Sequence, residues 1–145
     1  MGKSKNRERG STLVEFAIGA TVFLTVMFAV LEFGRALWIH NALADAARRG
    51  ARYAVLNSAN ASKVQNMTVY GDPGGGSKPL VDNFSTGNVS VTYSPDFDMH
   101  KGTVSVSITN YQFQFVLPFL GTTINMPGYS TTLTAESAGR IPGNK

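Results

Sequence analysis

Hydrophobic residues are distributed very unevenly along this chain. From Phe16 to Leu31 no charged residue occurs. Extended to Leu13 and Phe33, the apolar run covers roughly 20 residues, about 30 Å as a helix, which matches a bilayer core. It is apolar on every side, as a lipid-embedded helix is expected to be, with Phe16, Gly19, Phe23 and Phe28 among its packing positions. Beyond it the pattern changes. Glu32 to Leu56 has no proline and is rich in alanine, leucine and arginine, so the helix is predicted to continue as a stem. Ala44, Ala47, Ala51 and Ala54 recur at spacings of three and four and form one smooth face. Such a face permits close approach, either to the chain's own C-terminal region or to a neighbouring helix. Asn57-Ser58 is the predicted end.

The C-terminal region reads differently. Residues 60–69 fit either a short amphipathic helix or a strand. Gly71 to Pro79 is a loop. Its lysine is displaced and Pro79 cannot open a helix, so it is no phosphate-binding loop. Val89, Val91 and Tyr93 alternate with polar residues, as do Val104, Val106 and Ile108, with the pattern continuing through Phe113 and Phe115. Tyr129, Thr131, Leu133 and Ala135 make a third strand signal. The expected fold class is therefore α+β: a long N-terminal transmembrane helix and a small C-terminal antiparallel sheet, a meander with one face on a helix.

Charge gives the helix a direction. Lys3, Lys5, Arg7 and Arg9 against Glu8 put net +3 ahead of Gly10, out of a formal +4 for the whole chain. The basic pI thus reports topology more than a nucleic-acid surface. The positive-inside rule places the N-terminus in the cytoplasm and the C-terminal head across the membrane. Glu32 and Arg35, three residues apart, read as an ordinary solvated pair at the outer boundary, with Trp38 as an interfacial aromatic.

Candidate chemistry is sparse. There is no cysteine, so neither a disulfide nor a thiolate metal site is available. Asp96, Asp98 and His100 alternate as ligand types, but they sit in a connection where Asp and Pro serve turn geometry. The Asn-x-Ser/Thr sequences at Asn60, Asn66, Asn83 and Asn88 read as solvent-facing polar residues. Neither His40 nor His100 lies in a nucleophile–base motif, so no enzyme and no cofactor is expected. Phe115 to Leu120 breaks strand alternation into a continuous apolar run, with Phe119 and Leu120 as candidate interface residues.

The residue that most needs an explanation is Glu15, a carboxylate just inside the apolar run, where charge is expensive. Three readings meet here. A secretory signal could be cleaved at Ala42-Leu43-Ala44, but that triplet lies well beyond the run. An uncleaved signal anchor explains the run alone. The third is a resemblance: Arg9-Gly10-Ser11-Thr12-Leu13-Val14-Glu15-Phe16 resembles the processing site of type IV prepilins. Leu31-Glu32-Phe33-Gly34-Arg35 and the stretch from Ala46 to Ala54 extend the similarity to the TadE family of pilin-like proteins, from the tight-adherence type of type IV pilus and secretion machinery.

The resemblance implies that Gly10 is the cleavage residue, Ser11 the new N-terminus and Glu15 the assembly residue. It divides the chain into a leader (1–10), a long helix (11–57, membrane-spanning over about 13–33 and then a stem) and a β-rich head (58–145). It implies a minor pilin or pseudopilin in the bacterial inner membrane. The partners it implies are other pilin subunits, the prepilin peptidase, and the secretion ATPase and platform proteins. A single-pass envelope adaptor that never enters a filament is the alternative.

Overall fold

The computed structural model describes residues 4–57, 60–97, 101–116 and 123–138, with residues 4–9 and 137–138 described by backbone alone. The first element, α1, is an uninterrupted helix from Ser4 to Leu56, 53 residues and about 80 Å long. Among the described side chains of its first half none is buried. The window that qualifies it as long and apolar enough to cross a membrane is 0% buried. Its last third carries the head.

Helix α2 runs Ala61–Tyr70, so the ambiguous segment is helical. Asn60 explains why: its side chain accepts the Lys63 N–H at 3.3 Å and caps the first turn. At the other end Gly71 adopts φ +76° and its N–H closes on the Met67 carbonyl, a left-handed stop suited to glycine. Short extended runs then form β1 (Val89–Tyr93), β2 (Thr103–Ile108), β3 (Gln112–Gln114), β4 (Thr123–Asn125) and β5 (Tyr129–Thr134).

The strands make a three-stranded antiparallel sheet of order β1-β2-β5 and a separate β3-β4 pair. The register sets Val91 opposite Val106, Val104 opposite Leu133, and Ile108 opposite Tyr129, so the apolar positions share the helix-facing side. The opposite side is a row of hydroxyls, where Ser107 and Thr132 reach Ser130 and Ser105 at 3.0 Å.

Two expectations about the strands need correction. The alternation of β2 does not carry on through Phe113 and Phe115. The chain turns at Asn110, which takes φ +57°, and Phe113 begins a different sheet. The expected three-strand meander also gains β4, whose partner is β3. The meander is thus interrupted by an inserted hairpin between β2 and β5.

The core lies between the sheet and one face of α1. Ile39, Leu43, Ala46, Ala47, Ala51, Ala54 and Val55 are buried at helical spacing against Val104, Val106 and Ile108, with Val64, Thr68 and Val69 of α2 closing one side. The alanines are small because two elements must approach α1 here. The head is therefore built partly from the helix that anchors it.

Candidate assembly and anchoring site

Two groups of residues carry the chemistry, one at each end of the bare half of α1. At the N-terminal end, Gly10, Ser11, Val14, Glu15 and Ile18 line one shallow face of the helix. The spacing does this, since positions three and four apart stack on one side. All five are exposed. A side chain placed on Gly10 or Gly19 would meet nothing within 4 Å. Phe16, Phe23 and Phe28 are exposed at 74%, 66% and 44%, so this surface is apolar and unburied apart from Glu15. Thr21 and Thr25 donate to the carbonyls of Ala17 and Thr21, each at 2.8 Å, which keeps the hydroxyls satisfied without water.

At the outer end, Glu32 and Arg35 pair at 2.9 Å, as the three-residue spacing predicts. Only its arginine is solvated, however, with 36% of that side chain exposed. Glu32 is only 9% exposed. The Arg35 guanidinium lies 4.3 Å from the centre of the Phe113 ring and also donates to the Gln114 carbonyl. A planar cation can stack and donate in its plane together, which an ammonium cannot do. Arg35 therefore fastens the β3-β4 hairpin to the helix where the apolar run ends. A turn higher, His40 Nδ1 and the Tyr129 hydroxyl are 2.8 Å apart, with the rings edge-on at 5.1 Å.

The remaining predicted residues fall as follows. Ala47, Ala51 and Ala54 are filled by the chain's own head, and Ala44 is half-buried against it. Trp38 is 60% exposed on the flank of the stem. Asp96 is exposed in the β1-β2 turn, whereas Asp98 and His100 lie outside the described residues. Among the described residues no three His, Asp or Glu side chains converge on a metal-sized space. Phe119 and Leu120 also lie outside them. Asn66 and Asn88 are not simply solvent-facing. Asn66 donates to the Pro73 carbonyl, and Asn88 to those of Thr109 and Asn110.

Two contributions escaped the sequence reading. One is the hold of Arg35 on Phe113 and Gln114, which involves residues 78 and 79 positions apart in the chain and has no local signal. The other is Gly50. A glycine inside a run of strong helix formers was a usable signal, because its helix penalty needs a compensating contact.

Family comparison follows this geometry. A model of the TadE-like protein family matches residues 10–52. That segment is TadE-like. It begins at Gly10, takes in Glu15 and the Glu32–Arg35 pair, and ends within the alanine face under the head. No curated protein and no solved structure matches the chain.

Proposed function

We propose that this protein is a pilin-like structural subunit, a minor pilin or pseudopilin, of a tight-adherence type IV pilus or secretion system. The observation that carries the proposal is the TadE-like match starting at Gly10 on a helix whose first half is long, apolar and bare. In the precursor the basic residues ahead of Gly10 hold the N-terminus in the cytoplasm. Cleavage after Gly10 removes them and creates an α-amine at Ser11. In lipid the Glu15 carboxylate has a strong incentive to find a cation, and the Ser11 amine of a neighbouring subunit supplies one. Docking is then rewarded only after processing. The helix packs in a bundle and the head projects on the far side of the membrane, set at a fixed height by the Arg35 contacts. Secretion ATPase and platform proteins drive the assembly.

The test is the intact mass of the protein purified from membranes containing a prepilin peptidase. The expected N-terminus is Ser11. An unprocessed chain starting at Met1 would favour a plain membrane-anchored adaptor and overturn the pilin reading.

A further inference from the structure

We propose that the β3-β4 hairpin is a second membrane-contact element, which rests on the lipid surface where α1 leaves the bilayer. The proposal rests on α1 crossing the membrane, and adds to it a lipid-facing role for the head.

Tyr129, paired in register with Ile108, meets α1 at His40. Gln114, six residues after Ile108, meets α1 at Arg35. Five helical residues separate these levels, so the chain has descended about 7 Å towards the apolar segment between them. β3 ends at Gln114. Val116, two residues further, is 73% exposed, and Ile124, on the returning strand, is 50% exposed. An isolated exposed apolar residue needs no explanation, but Ile124 pairs in register with Phe113, which Arg35 covers, and Leu31 and Phe33, exposed at 61% and 65%, lie four and two residues before Arg35 on α1.

The polar neighbours fit a headgroup layer. Gln112, Gln114, Thr123 and Asn125 flank the apolar positions with uncharged hydrogen-bonding groups. No Asp, Glu, Lys or Arg occurs from Gln112 to Tyr129. Trp38, 60% exposed and a turn above Arg35, has the residue type that favours the same layer. Continuity with the spanning helix, together with the absence of charge, selects lipid over a water-facing protein partner.

The single tryptophan makes the test direct. In a Trp38→Phe background of the full chain, one tryptophan is placed in turn at Val116, Ile124, Phe23 and Thr92. Each variant is reconstituted in phosphatidylethanolamine–phosphatidylglycerol vesicles doped with lipids brominated on the acyl chain. Phe23→Trp reports on the spanning helix, and Thr92→Trp on the exposed outer face of the sheet. Blue-shifted emission and bromine quenching are expected for Val116→Trp and Ile124→Trp, intermediate between the two references and independent of protein density. Quenching of Phe23→Trp with Val116→Trp no more quenched than Thr92→Trp would overturn the hairpin contact and leave the anchor standing. Shielding of Val116→Trp only at high protein-to-lipid ratio would assign the surface to a second copy and also overturn it. Loss of quenching at Phe23→Trp would overturn the anchor itself, and the hairpin contact with it.

Discussion

A β-carbon built on Gly50 would lie 2.1 Å from the Thr68 hydroxyl oxygen and 3.3 Å from both Thr68 Cβ and Val106 Cγ1. Gly50 is thus the point where α1, α2 and the sheet come closest. Thr68 is fully buried, and its hydroxyl donates to the Val64 carbonyl at 2.7 Å, so it cannot turn away without losing that bond. Alanine would gain about 0.5–1 kcal/mol in helix propensity. Overpacking a filled core costs about 1–3 kcal/mol, so the net effect of Gly50→Ala should be destabilising. A lower thermal midpoint for Gly50→Ala, partly recovered by adding Thr68→Ala, is the expected outcome of the double-mutant cycle.

Arg35 gives a second prediction. Arg35→Ala strands the buried Glu32 carboxylate and uncovers Phe113, with a loss on the order of 2 kcal/mol concentrated in the hairpin. Arg35→Lys keeps the charge but not the plane, and should recover little. Hydrogen exchange resolves this: the amides of β3 and β4 should exchange faster in both variants while those bonding β1 to β2 stay protected. Equal loss of protection in both sheets would mean that Arg35 supports the whole head instead.

Tyr93 should behave in the opposite way. Its hydroxyl is buried and has no hydrogen-bond partner among the described residues. Tyr93→Phe should therefore be neutral or stabilising by up to about 1 kcal/mol. Tyr111→Phe, which removes a 2.8 Å bond to the Asp82 carbonyl, should destabilise. The same residues set the alkaline limit. Burial pushes the phenols of Tyr93, Tyr111 and Tyr129 above the ordinary 10.0, and for Tyr111 the Asp82 charge adds to the rise while Arg35 opposes it. The folded state then holds these protons more tightly than the unfolded chain does. Their contribution is complete below about pH 10 and declines as pH climbs through the higher folded values. Thermal midpoints across that window should fall, and less steeply in Tyr93→Phe.

If the proposed function holds, processing and assembly should separate at Gly10 and Glu15. The surroundings of Gly10 are open, so Gly10→Leu leaves the helix undisturbed, and any effect belongs to the peptidase. The expected result is full-length precursor retained in the membrane. Glu15→Gln should be cut and inserted normally yet enter pili or crosslinked complexes poorly. Wild-type incorporation of that variant would remove the carboxylate from the assembly step.

The sequence by itself determined the elements whose cause is local. An apolar run of roughly 20 residues dictates a helix long and apolar enough to cross a membrane. The proline-free, alanine-rich continuation had to extend it, and strict alternation at Val89–Tyr93 and Val104–Ile108 had to give half-buried strands. The Gly10-to-Glu15 spacing was visible as a motif because it lies within one turn and a half, and the TadE-like match starts at Gly10. What only the tertiary structure decided depends on contacts between distant parts of the chain. The alanine face had two possible partners, and the fold gave Ala47, Ala51 and Ala54 to the head, because the sheet and α2 needed a surface smooth enough to reach the α1 backbone at Gly50. The Phe113–Phe115 alternation continued that of β2 in sequence, yet the left-handed turn at Asn110 moved it to a second sheet. The Glu32–Arg35 pair was visible as a spacing, but its burial was not. A charge pair on a helix looks solvated until another element covers it, and here the covering hairpin lies nearly eighty residues away.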